Sequence, residues 1–186
     1  MRRLIPGPLL AVLLAVLLAA CAGRAPRAAV ELPPLRLAPS ALPAPLALQQ
    51  RLHFRFGAHE RALDALLEAD PGQVRLLVQA MGQTGVQLQW DGTTLEEQRA
   101  AWLPPQVRAG RVLDDLQFAL WPQAAIAAAL PAGWTVEDDA RHRRLLRDGQ
   151  AWLVLERLAD GRVVLDNLAE GYRLEIESAQ MDGQAP

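Results

Sequence analysis

Tyr172-Arg173-Leu174-Glu175-Ile176-Glu177 alternates apolar and charged residues without a break. Successive side chains of a strand point to opposite faces, so Tyr172, Leu174 and Ile176 share one face and Arg173, Glu175 and Glu177 the other. A strand with one dry and one wet face belongs to an antiparallel sheet. The pattern recurs upstream. Arg51-Leu52-His53-Phe54-Arg55-Phe56 puts Leu52, Phe54 and Phe56 together, and Gly57 ends it. Val74, Leu76, Val78 and Ala80 face one way, as do Val86, Leu88 and Trp90. The run from Arg61 to Ala69 alternates less cleanly and reads as a strand because of its neighbours. Asp70-Pro71-Gly72 and Asp91-Gly92 are turn signals between these runs, which gives four strands in succession.

The rhythm changes at Leu103-Pro104-Pro105. From Val107 the apolar residues Val112, Leu113, Leu116, Ala119 and Leu120 recur at helical spacing, with Asp114 and Asp115 on the far side. Trp121-Pro122 breaks that helix and opens a second short one, Gln123 to Leu130, which Pro131-Ala132-Gly133 stops. Strand periodicity returns at Trp134-Thr135-Val136. Asp148-Gly149 joins Arg143–Arg147 to Gln150–Leu158 as a hairpin, and Asp160-Gly161 leads into Arg162–Leu168. The expected fold is therefore α+β: a curved antiparallel sheet, a half-open β-barrel, with a helical insert at about 107–130 packed over its concave side.

Upstream of the sheet the chain reads as an address. Met1-Arg2-Arg3 is positive, Leu9 to Ala20 is apolar, and small residues precede Cys21; these are the parts of a secretory signal, and the run is too short for the roughly 20 apolar residues of a membrane span. Cys21 is the only cysteine. A lone cysteine in a secreted chain needs a purpose, and Leu18-Ala19-Ala20-Cys21 resembles the lipobox of bacterial lipoproteins, in which the cysteine is acylated and begins the mature chain. That resemblance implies lipidation of Cys21 and a membrane partner through it. Ala22, where aspartate is associated with inner-membrane retention, implies the periplasmic face of the outer membrane. The expected organisation is a signal peptide over 1–20, a lipidated, Pro-rich tether over 21–48, the sheet domain over 49–180 and a polar tail over 181–186. Pro26, Pro33, Pro34, Pro39, Pro43 and Pro45 bar helix and central strand from the tether, although its leucines are numerous enough for the last part to pack along the domain.

Without Arg2 and Arg3 the 19 cationic residues, all arginine, fall to 17 against 21 acids, a net charge of about −4. No basic face for nucleic acid is implied. Catalytic inventory is thin. Beyond the leader, Ser40 and Ser178 are the only serines, and neither stands in a nucleophile motif. His53, His59 and His142 have no zinc spacing. Asp114-Asp115 and Asp138-Asp139 are adjacent, so their carboxylates point apart and read as solvated surface. No enzyme, metal or cofactor is expected. Phe54, Phe56, Trp90, Phe118, Trp121, Trp152 and Tyr172 fall on inward faces or beside the helices, as core or as the lining of a ligand pocket.

The tract from Leu103-Pro104-Pro105 through Asp114-Asp115-Leu116-Gln117 to Leu120-Trp121-Pro122, together with Gly171-Tyr172-Arg173-Leu174-Glu175-Ile176, resembles a family of bacterial lipoproteins of undetermined function associated with fatty-acid-synthase-like gene clusters, including those for aryl polyene pigments. The layout is also similar, more distantly, to the LolB-like outer-membrane lipoprotein receptor, a half-open antiparallel barrel around an apolar cavity. These resemblances imply an outer-membrane lipoprotein that binds or hands over a lipid-like ligand or a lipoprotein acyl chain. The alternative is a scaffolding or accessory lipoprotein docking on an envelope export system.

Overall fold

The chain's two longest registers lie at the middle of one sheet. In the computed structural model, which describes residues 30–103 and 107–181, strand β1 (Leu46–Phe56) pairs with β10 (Tyr172–Gln180) from Leu48↔Gln180 to Phe56↔Tyr172. From this seam the sheet grows outward in two meanders. One side adds β2 (His59–Ala69), β3 (Val74–Ala80), β4 (Gln83–Trp90) and β5 (Leu95–Arg99); the other adds β9 (Val163–Asn167), β8 (Gln150–Arg157), β7 (His142–Arg147) and β6 (Trp134–Asp138). All ten strands are antiparallel to their neighbours. β5 and β6 do not pair, so the sheet is open. The connection between them carries helix α1 (Ala109–Leu120) and helix α2 (Gln123–Ala129), within the expected insert.

Strand parity matches the sequence periods. Val74, Leu76, Val78 and Ala80 are buried, as are Val86, Leu88 and Trp90. β5 is the strand that periodicity missed. It reads Leu-Glu-Glu-Gln-Arg, and only Leu95 is partly covered. An edge strand buries little and benefits from charge that discourages pairing with another chain.

The Pro-rich stretch is the main correction to the expected domain boundaries. β1 begins at Leu46 rather than 49, and the segment from Val30 to Leu42 is a strap built into the core, not a tether. Leu32, Leu35 and Leu37 are only 5–6 % exposed and pack in the same cluster as Trp90, Phe118 and Trp121. Prolines keep the strap out of the sheet ladder, so its backbone polar groups bond to side chains instead. Leu35 N–H donates to Asp114 Oδ1 (3.1 Å) and Leu37 N–H to Gln117 Oε1 (3.0 Å). The Leu37 carbonyl accepts from Trp90 Nε1 (2.7 Å) and Gln117 Nε2 (2.9 Å), and the Ala38 carbonyl from Trp121 Nε1 (2.9 Å). Arg36 lies across Gly110, where an added Cβ would come within 2.7 Å of its guanidinium.

The leader, Cys21, the tether up to residue 29, Pro104-Pro105 and the tail beyond Met181 lie outside the described residues. Met181 itself donates its N–H to the Ala47 carbonyl at 2.9 Å, extending the β1–β10 seam into what was expected as tail. Among the described residues no helix is long and apolar enough to cross a membrane.

Candidate functional site

Half of the concave side is solid and half is hollow. Toward the start of β1 the strap, α1, Trp90 and Trp121 fill the space. Toward its end, where β1 turns into β2, a cavity of about 1020 Å³ separates sheet from helix. Leu52, Phe54 and Phe56 of β1 and Tyr172, Leu174 and Ile176 of β10 form its floor. Side walls come from β2, β3 and β4 on one hand and from β8 and β9 on the other. That strands this far apart in the sheet line one space requires the sheet to curve.

Helix α1 has two working faces. Val112, Leu116, Ala119 and Leu120 look into the cavity, whereas Asp114 and Gln117 hold the strap. Its carboxyl end is held by Arg143 of β7, whose Nη1 donates to the carbonyls of Phe118 (2.5 Å) and Trp121 (2.8 Å) while Nη2 and Nε bond Asp138.

Of the aromatic residues expected as core or lining, Phe54, Phe56 and Tyr172 line the cavity, with the Phe54 and Tyr172 rings 5.4 Å apart. Trp90, Phe118, Trp121 and Trp152 are core, at 6 % exposure or less. The indoles of Trp90 and Trp121 face the strap, whose carbonyls take their N–H groups. Trp102, next to the helical insert, is half-exposed at the cavity's edge. Most of the lining is aliphatic, from positions that read equally well as plain core.

The aspartate pairs also differ from expectation. Adjacent carboxylates do diverge, but Asp114 and Asp115 are both buried, where Arg36 pairs with Asp114 and Arg111 is shared between the two. Asp114 takes Arg36 at 2.6 Å; Asp115, on the cavity wall, takes Arg111 Nε at 3.1 Å and the hydroxyl of Tyr172. Burial raises the Asp115 carboxyl to about 6 against the pull of Arg111 and the Tyr172 hydroxyl; burial likewise raises Asp114 against Arg111 and Arg36. Tyr172 is pushed up by burial and by the Asp115 charge. At Asp138 burial acts upward too, yet bonds from Arg143 and Arg157 overcome it and leave the carboxyl below its ordinary range.

Asp115 gives a pH prediction with a definite sign. Its folded value, about 6, lies above the ordinary 3.8, so its contribution to stability is full below about pH 4 and lost as pH rises through about 6. Asp115→Asn removes that dependence. In urea titrations from pH 4 to 7, the stability of the native chain relative to this variant should fall by on the order of 2 kcal/mol as pH rises; a constant difference would mean that Asp115 is not perturbed.

An open antiparallel sheet folded over an apolar hollow, with a helix across it, defines the class of fold. Within it, the chain belongs to the family described as Protein of unknown function (DUF3261), whose model matches residues 47–180. The match covers every strand except the first residue of β1, and the strap precedes it. A search of the curated proteins finds no match.

Proposed function

We propose that the chain is an outer-membrane lipoprotein, anchored through acylated Cys21 on the periplasmic face, that binds or hands over an apolar, lipid-like ligand or acyl chain without covalent chemistry. The observation that carries this reading is the cavity of about 1020 Å³ with a mainly aliphatic lining, at the upper end of the roughly 300–1,000 Å³ usual for ligand pockets. Each methylene moved from water into such a space gains about 0.8 kcal/mol, so a long chain can be held without a polar anchor. The layout resembles the LolB-like lipoprotein receptor, which supports the same reading, as does the likeness of the first residues to a lipoprotein leader.

The test is binding of a fluorescent acyl probe to the chain from Ala22 onward. Ala119 lies on the cavity face of α1 and is partly accessible. Ala119→Trp should lower probe affinity at least about ten-fold by filling the space, with the thermal midpoint within a few degrees of the native value because overpacking strain is small where a void exists. If the native chain takes up no probe and co-purifies with no lipid, the reading fails. In-cell crosslinking to one export protein would then favour the scaffolding role.

A further inference from the structure

We propose that the ligand of this cavity is a single-chain amphiphile with an anionic head group, carboxylate or phosphate, seated tail inward with its head at Arg61 and His59. This rests on the lipid-binding reading and names the ligand class. Strand parity puts His59, Arg61, Leu63, Ala65 and Leu67 on one face of β2, and the inner three are partly or fully buried. Arg61 sits opposite Phe54 and His59 opposite Phe56, so an apolar stripe ends in two polar side chains where the cavity meets solvent.

The charges around the cavity are unevenly matched. Arg108 pairs with Glu170 at 2.8 Å, Arg111 with Asp115 at 3.1 Å and Arg157 with Asp138 at 3.0 Å. Arg61 also lines the cavity but has no carboxylate partner among the described residues, and its one side-chain bond goes to the neighbouring Glu60 carbonyl at 3.2 Å. A guanidinium with free donors matches a carboxylate or phosphate in charge and geometry, and the His59 imidazole adds a donor beside it. From Phe56 the lining runs along β1 to Gln50, about 20 Å at the rise of a strand. That length accepts an extended chain. At that far end buried Gln50 bonds exposed Ser178 at 2.9 Å, and neither carries a charge for a second head group.

The experiment displaces the neutral dye N-phenyl-naphthylamine from the delipidated chain beginning at Ala22, using hexadecanoate, hexadecyl phosphate, hexadecanol and hexadecyltrimethylammonium below their micelle concentrations. Both anions should compete at least about ten-fold better than the alcohol, as one charge-assisted pairing allows, and the cation should compete worst. Arg61→Gln should bring the anions down to the level of the alcohol and leave the alcohol unchanged, while Arg61→Lys keeps most of the preference. The order of the two anions separates a fatty acid from a phospholipid source. If anion and alcohol compete equally, or if Arg61→Gln changes neither, the head-group assignment is overturned and lipid binding stands. If neither dye nor any competitor binds, the lipid reading itself has failed.

Discussion

Removing residues 1–42, a cut that a Pro-rich tether would tolerate, should leave a chain that does not fold. Leu32, Leu35 and Leu37 are almost wholly buried, and truncating one buried leucine to alanine costs about 2–5 kcal/mol. Domains of this kind carry only about 5–15 kcal/mol in all. The cut also strands Asp114, Gln117 and the indole N–H groups of Trp90 and Trp121, each of which bonds to the strap, and a buried polar group left without a partner costs about 1–3 kcal/mol more. A cut after residue 29 keeps all of these contacts and should fold. Circular dichroism and urea unfolding of the two truncations measure the difference; a cooperative transition in the shorter one would show that the strap is dispensable. Leu37→Ala in the longer one should lower stability by about 2–5 kcal/mol.

The strap is legible in part: the leucines of the Pro-rich stretch are numerous enough for packing along the domain, but nothing in the sequence shows that Leu32, Leu35 and Leu37 enter the main core. Proline excludes helix and ladder, but it leaves an extended chain that can be buried if side chains satisfy its backbone. The signal it does carry is Leu32, Leu35 and Leu37 around Pro33-Pro34, too apolar for a solvated spacer. The sheet was far more legible, since alternation at Leu52-Phe54-Phe56 and Tyr172-Leu174-Ile176 fixes both face and register once two strands pair. β5 lacked that signal because an edge strand with Glu96, Glu97 and Gln98 exposed has no dry face to announce itself.

The cavity was legible only as a possibility. Curvature and a helix over it were expected, but Leu116 and Leu155 lining a hollow read the same as Leu113 and Leu153 filling a core. Asp115 was missed for another reason. Its carboxylate does diverge from that of Asp114, but Arg111 four residues earlier, at the spacing of an intrahelical ion pair, gives it a partner that lets it be buried.

Arg143→Met should destabilise the domain by about 2–6 kcal/mol, since it leaves two buried carbonyls without a donor and a buried polar group without a partner costs about 1–3 kcal/mol. Arg143 joins β7 to the end of α1: it takes the carbonyls of Phe118 and Trp121 and pairs with Asp138 at 2.5 Å while 5 % exposed. The last carbonyls of a helix have no partner within it, so methionine leaves both stranded and Asp138 with Arg157 alone, at 3.0 Å. Lysine should recover little, since one ammonium cannot hold two carbonyls and a carboxylate as the planar fork does. The accompanying Asp138→Leu change separates two explanations. If the loss comes mainly from the stranded carboxylate, the double variant regains much of it, because a buried ion pair replaced by apolar side chains is often neutral. If it comes mainly from the helix carbonyls, the double variant stays as weak as Arg143→Met. The second outcome is expected, because Arg157 still faces Asp138 after the substitution whereas no other side chain bonds the Phe118 and Trp121 carbonyls among the described residues. Urea titration of the four proteins measures the cycle, and a native-like midpoint in Arg143→Met would remove Arg143 as the link that holds α1 over the cavity.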